Sequence, residues 1–531
     1  MPILLPTRSE RRPALGAVVP FSPTSPLGPT PNSTGEVKFP DGFIWGSATA
    51  AFQIEGAAHE GGRKDSIWDA FCRVPGAVAF GHDGAVACDH YHRFADDVAL
   101  MKSLNLGAYR FSTSWARVQP DGGAVNPEGL AFYDRLVDSL LDAEILPWLT
   151  LYHWDLPQAL EERGGWANRD TANLFVDYAM TMFDALGDRV KVWTTLNEPW
   201  CSSFLSYIGG EHAPGRTDRA TGIAAGHHLL LAHGLAAEAI KQADDDAVVG
   251  ITLNFTVADP ADPADERDVA AAAKWDGLFN RFFLEPIMCG AYADDVRQWC
   301  APVLDEVVQP GDLDIISTPI DALGVNYYNG AMLAGSPEGA AAASAAGVAR
   351  HADTPSVFPD DPAWQERRRT VVAEPSPDPT GMYWVTRDLP RTAMGWEVHP
   401  DALARLLIRL HNDYTGPRGV ALYVTENGAA YNDEPDATGF VDDSSTRLAY
   451  YDGHLRALRD ALDAGVDLRG YFAWSLMDNF EWAWGYEKRF GIVRVDFETQ
   501  ERTVKASGRW YGEVARTNTV PPLPAGVAPL T

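Results

Sequence analysis

Eight short apolar runs, each followed by a longer amphipathic stretch, predict an α/β fold, a single (β/α)8 TIM barrel with long βα loop insertions. Three observations carry this expectation. The apolar runs show little polar alternation, as expected of strands covered on both faces of a parallel sheet. Strict alternation of strand and helix implies right-handed crossovers between parallel neighbours. No G-x-G-x-x-G or P-loop follows the first strand, so the structural alternative, a doubly wound open sheet, lacks its usual phosphate site. The 531-residue chain is longer than an average domain, but barrels of this class commonly exceed that average as one unit.

Ordered patterning begins near Phe39. Strands are predicted over 43–51 (FIWGSATAA), 108–115 (AYRFSTSW), 145–154 (ILPWLTLYHW) and 191–198 (KVWTTLNE). They continue over 248–255 (VVGITLNF), 322–328 (ALGVNYY), 422–427 (LYVTEN) and 470–476 (GYFAWSL). Between them 90–104, 129–143 and 446–465 carry apolar residues three and four apart and read as helices. Residues 329–392 break the rhythm. With GAAAASAAG (339–347), many prolines and RRR (367–369), they read as a loop insertion without regular elements after the sixth strand, on the face where such barrels carry their sites. The expected division is a disordered Pro/Ser-rich N-terminal extension over 1–37, a barrel over 38–515 that includes the insertion, and a C-terminal tail over 516–531. Arg11-Arg12 precedes a run that is too short and too interrupted by proline for an export signal.

Composition narrows the function classes. With 73 acids against 43 bases the formal charge is −30, which argues against nucleic acid or an anionic membrane as a partner, since phosphate contacts need basic patches. No apolar run approaches the ~20 residues that span a bilayer. Cys72, Cys88, Cys201, Cys289 and Cys300 are scattered and lack C-x-x-C spacing, which fits reduced thiols in a cytoplasmic protein better than disulfides or a zinc site. His90 and His92, and the adjacent His227 and His228, lack the spacing and acidic partners of a metal centre, so neither metal nor cofactor is expected.

Residues at the C-terminal ends of the strands of such a barrel converge on one pocket. Those ends carry Gln53 and Glu55, Arg110, His153-Trp154-Asp155, Asn197-Glu198, Asn326 and Tyr328, Glu426-Asn427, and Trp474 followed by MDNFEWAWGY (477–486). Any one has a plain alternative: a strand-end Glu as a cap, Arg110 as a buried ion-pair partner, the indoles as packing. The coincidence points elsewhere. Two carboxylates at the ends of TTLNEP (194–199) and VTENG (424–428), with no metal-type partners, suit glycoside hydrolysis, where one must donate a proton and the other must be ionised.

Seven motifs in order resemble family 1 of the glycoside hydrolases, the β-glucosidase family: FIWGSATAAFQIEGA (43–57), YRFSTSWARVQP (109–120), LYHWDLPQAL (151–160), WTTLNEPW (193–200), LGVNYY (323–328), YVTENG (423–428) and WSLMDNFEWAWGYEKRFGIVRVD (474–496). The resemblance runs from about Phe39 to Arg509. It implies a retaining β-glucosidase with Glu198 as acid/base and Glu426 as nucleophile, their carboxyls about 5–5.5 Å apart rather than the ~6.5–9.5 Å of an inverting pair. By the same resemblance Arg110 and Tyr328 support the nucleophile, and Asn197 holds the sugar 2-hydroxyl. Gln53, His153, Trp154, Asn326, Glu481 and Trp482 surround the other hydroxyls, Trp474 forms an apolar floor, and Trp396 and Phe490 belong to the cleft wall. The retained Glu481-Trp482 pair implies an unphosphorylated sugar. The implied substrate is a small β-glucoside or cello-oligosaccharide, with β-galactosides and β-fucosides as further candidates, acted on by a monomer or homo-oligomer. Departures from the family pattern are Glu211 in GGEHAPG (209–215), where an aromatic residue is common, Arg494 in place of a common Tyr, and the length of 329–392; all bear on the leaving group rather than the reaction. Transglycosylation and a catalytically silent sugar-binding role are the competing readings, and the presence of both glutamates weighs against the second.

Overall fold

The computed structural model describes residues 35–347, 359–372 and 375–530. The expected disordered extension therefore falls almost wholly outside the described residues. Eight strands close into a barrel: β1 Ile44–Ala48, β2 Ala108–Ser112, β3 Leu146–Tyr152, β4 Val192–Asn197, β5 Val248–Phe255, β6 Ala322–Tyr327, β7 Ala421–Asn427 and β8 Leu468–Trp474. Each runs parallel to the next, and β8 returns to β1 with Ala473 opposite Ser47. Every residue of β1, β2, β4, β6 and β7 is buried, which is why these segments read as unbroken apolar runs rather than alternating ones.

Two predicted strands end three residues early. The chain turns after β1 into a one-turn helix, Ala51–Ile54, where the Ala51 N–H donates to the Ser112 hydroxyl at 2.8 Å. After β2 it turns into Trp115–Val118. The outer helices follow the expected spacing. Pro127–Asp142 opens on proline, whose missing N–H costs nothing in the first turn, and it buries Phe132, Tyr133, Leu136, Val137 and Leu140 along one stripe. His90–Ser103 and Ala449–Asp463 lie where helices were expected.

The region 329–392 corrects the sequence reading, which expected no regular element there. Ala331–Ala334 pairs in parallel with Ala258–Pro260 and antiparallel with Tyr383–Trp384, giving a three-stranded sheet outside the barrel. Pro337–Gly347 is a helix because alanine has the highest helix propensity and proline sits in its first turn; low complexity disguised it. Pro362–Arg368 is a second helix, started by Asp361, whose carboxylate accepts from the N–H groups of Ala363 and Trp364 at 3.0 and 3.3 Å. Beside the start of β1, Val37–Lys38 pairs antiparallel with Thr519–Val520. Among the described residues no helix is long and apolar enough to cross a membrane.

Candidate active site

The acids at the ends of TTLNEP and VTENG meet at the mouth of the barrel. Glu426 is still within β7, while Glu198 is the first residue past β4 and takes a left-handed backbone, φ 47°. Trp154 and Trp482 do the same, φ 80° and 49°, and all three side chains line one cavity of about 440 Å³. Non-glycine residues held in that region store strain, which persists where surrounding packing over-determines the geometry and which clusters at functional sites. The glycine of TENG has a steric reason: a Cβ at Gly428 would stand 1.7 Å from the Trp474 carbonyl oxygen, where β7 and β8 press together.

The two carboxyls have unlike surroundings. Glu426 accepts from Arg110 Nη1 at 2.6 Å and from the Tyr328 hydroxyl at 2.7 Å. Arg110 is itself buried and uses its other terminal nitrogen to reach Asn197 Oδ1 at 2.7 Å, so its charge is compensated by Glu426 rather than by water. Glu198 accepts from Asn326 Nδ2 at 2.6 Å through one oxygen and from the Cys201 thiol at 3.1 Å through the other. Burial raises the pKa of both acids. At Glu426 the Arg110 charge and hydrogen bonds from Arg110, Tyr328 and Asn326 oppose that rise, whereas at Glu198 the negative charge of Glu426 adds to it. The neighbouring charge thus favours a proton on Glu198, while Arg110 and Tyr328 favour the charged form of Glu426.

Behind and beside this pair lies a polar floor. Asn197 Nδ2 donates to His153 Nε2 at 3.1 Å, which leaves the imidazole proton on Nδ1; burial and then Arg110 lower the His153 pKa, so the ring is neutral. Gln53 Nε2 is held by Asn479 Oδ1 at 3.0 Å and Phe480 O at 2.8 Å. Three buried atoms here, His153 Nδ1, Gln53 Oε1 and Glu481 Oε2, have no protein partner. Such orphans are costly unless a ligand serves them. Burial, helped by the charges of Glu426 and Glu198, pushes the Glu481 carboxyl up to about 8. The loop carrying Glu481 and Trp482 is anchored by buried Asp478, which accepts from Lys505 at 2.7 Å and Arg489 at 2.8 Å.

Of the residues singled out from sequence, Glu198, Glu426, His153, Trp154, Asn326, Tyr328, Trp396, Trp474, Glu481, Trp482 and Phe490 line the cavity. Arg110 and Asn197 are buried behind its wall and act through the contacts above, while Gln53, also fully buried, keeps an unpartnered Oε1. Glu55 and Asp155, also read as strand-end candidates, do not line it. Glu55 instead binds Arg117 at 2.9 Å and accepts from the Tyr133 hydroxyl at 2.6 Å, because the turn of helix after β1 carries it inward. Sequence reasoning missed Cys201, on the far oxygen of Glu198, and Asn254, whose Nδ2 lies 3.8 Å from the Cys201 sulfur. Cys201, three positions after Glu198, carries no periodic signal, whereas Asn254, at the end of the strand predicted over 248–255, falls under the strand-end rule. It also missed the outer wall, where Trp275 and Phe279 from one helical stretch meet Trp200, Trp384 and Arg368 from three others.

The family model for glycosyl hydrolase family 1 matches residues 36–520. The chain belongs to glycosyl hydrolase family 1. Membership makes it a glycoside hydrolase, and the closed parallel barrel is the fold of its family neighbours. Among curated family members, the thermostable beta-glucosidase B of Thermobispora bispora is 45% identical over 92% of this chain and 92% of its own length. The bifunctional beta-D-glucosidase/beta-D-fucosidase of Bifidobacterium breve is 44% identical over 89% of this chain and 97% of its own. The crystal structure of the psychrophilic beta-glucosidase BglU from Micrococcus antarcticus superposes with a TM-score of 0.83 at 51% identity, covering 91% of this chain and 98% of that one.

Proposed function

We propose that this protein is a retaining β-glucosidase that removes terminal non-reducing β-D-glucosyl residues from small β-glucosides and cello-oligosaccharides, and that β-fucosides are also substrates. The observation that carries this reading is the unequal environment of two buried acids in one cavity: Glu426 under Arg110 and Tyr328, Glu198 under the repulsion of Glu426. Their roles follow from it. A Glu426 oxygen bonds to the anomeric carbon as the glycosidic C–O bond breaks, and that electron pair stays on the departing oxygen, which takes the Glu198 proton. The ester has no negative charge, so the repulsion that held the proton on Glu198 is gone and its carboxylate can now accept one. Water attacks the same carbon, its proton passes to Glu198, and the ester electrons return to Glu426. Two displacements preserve the β configuration.

The orphaned Gln53 Oε1, His153 Nδ1 and Glu481 Oε2 supply an acceptor, a donor and a hydroxyl-reading carboxyl for the sugar ring, with Trp474 beneath it. Three acids, Glu198, Glu426 and Glu481, line this end of the cavity and, among the described residues, no lysine does, a setting that disfavours a phosphate and supports an unphosphorylated substrate. All five cysteines are buried and none is in a disulfide, which supports a cytoplasmic, reducing setting.

The deciding experiment replaces the nucleophile. Glu426→Gly should abolish hydrolysis of 4-nitrophenyl β-glucoside yet accept azide into the vacated space and release α-glucosyl azide, the inverted product. Turnover near that of the unmodified enzyme, or a β-azide, overturns the assignment.

A further inference from the structure

Beyond the two acids the cavity continues between unlike walls. One is aromatic: Trp200 against Phe279 (ring centroids 4.5 Å apart), Phe279 against Trp275 (5.1 Å) and Trp275 edge-on to Trp384 (5.3 Å). The other carries an ion pair between Glu211 and Arg368. Arg368 ends the insertion helix Pro362–Arg368 and lies over the rings of Trp364 and Trp484, 5.3 and 5.6 Å from their centroids. That helix is fixed to the rest of the site: Trp364 Nε1 donates to Ala483 O at 2.9 Å, one residue past Trp482, and the Phe80 N–H donates to Asp361 at 2.7 Å. The side chains of Glu211 and Arg368 retain 12% and 24% exposure. The pair is therefore sheltered enough to be strong and still open to the cavity.

Its side of the cavity is set by Glu198. One Glu198 oxygen meets Asn326, whose hydrogen bonding extends to Glu426, and the other meets Cys201. Glu211 and Arg368 line the same cavity as Cys201, on the far oxygen of Glu198, and as Trp200 and Leu205 on either side of it in the chain. A sugar on the polar floor with its anomeric carbon at Glu426 sends its departing oxygen past Glu198, hence toward the pair.

We propose that Glu211 and Arg368 read the hydroxyls of the departing group, making the enzyme selective for a second sugar ring over a plain aryl group. This rests on the β-glucosidase reading above. A pyranose offers an apolar face to the aromatic wall and hydroxyls at its edge, each of which can accept from a guanidinium and donate to a carboxylate in one arrangement. A nitrophenyl ring stacks as well but cannot serve both charges. The long insertion thus has a task, and the glutamate at 211, where the family commonly has an aromatic, is half of a pair rather than a lost platform.

The test compares kcat/KM on cellobiose and on 4-nitrophenyl β-glucoside, since this ratio reports the first irreversible step for both substrates. Arg368→Ala should lose roughly 10- to 100-fold on cellobiose and less than about threefold on the aryl glucoside, with Arg368→Lys intermediate. Glu211→Gln should follow the same pattern with a smaller loss. Parallel losses on both substrates, or none on either, overturn the proposal; the aryl substrate also reports whether each variant is folded. Wild-type enzyme that cleaves neither substrate overturns the β-glucosidase reading itself, a different failure.

Discussion

The inner and outer halves of the cleft are made in different ways. The inner half is assembled from strand ends: Glu198 after β4, Glu426 in β7, and Arg110, Asn326 and Tyr328 from β2 and the end of β6. Each polar group there holds another, so Arg110 alone touches both Glu426 and Asn197. The outer half hangs on the barrel through loops and the 329–392 insertion, and it carries an ion pair joined from two distant segments, Glu211 and Arg368. On the two proposals above, the inner network governs what happens to the glycosidic bond, and the outer pair governs which groups depart. In such a division a change in the first half should cost rate on every substrate, and a change in the second should cost it selectively.

The hardest test of that division is Glu198→Gln. It removes the proton donor while keeping the shape, and general acid catalysis is worth about 10²–10⁴ in rate. The loss should be largest with cellobiose, whose departing alkoxide needs the proton, and smallest with an activated dinitrophenyl glucoside; equal losses would break the acid assignment. A middle-sized effect is expected of Tyr328→Phe, which deletes the 2.7 Å hydrogen bond to Glu426. That bond favours the ionised carboxylate, so its removal raises the Glu426 pKa further in the direction burial already pushes it. The acidic limb of the pH profile of kcat/KM should therefore move to higher pH, by roughly half to one unit, on both substrates. The smallest effect on chemistry should come from Trp364→Ala. It empties a buried site that holds the insertion helix against Ala483 and Trp484, at a cost of about 3 kcal/mol in docking. Proteolysis between 359 and 372 should speed up and KM for cellobiose should rise, while kcat on the aryl glucoside stays within about twofold; an equal fall there would merge the two halves.

Most of the inner half was legible because one physical rule reads it: parallel barrel strands bring their C-terminal ends together, so polar residues at those ends must meet. The rule failed at Glu55, where the strand stops at Ala48 and a turn of helix redirects the side chain to Arg117. It was silent at Cys201, since a thiol three residues beyond a glutamate carries no periodic signal. The insertion was opaque for another reason. Its helices are set by alanine propensity and by an Asp cap, both local and weak, while its position is set by Trp364 meeting Trp484, a contact across the chain that no window of sequence contains.

The antiparallel pairing of Val37–Lys38 with Thr519–Val520 sits beside the start of β1, where Asn518 also accepts from Trp45 at 2.9 Å. It lies at the opposite end of the barrel from the cleft. With residues 1–36 and 521–531 removed, a short peptide joining these two strands would convert the chain to a ring without crossing the substrate's route, and new ends could be opened within the insertion. A tether attached at this seam would hold the molecule to a surface with its cleft facing outward.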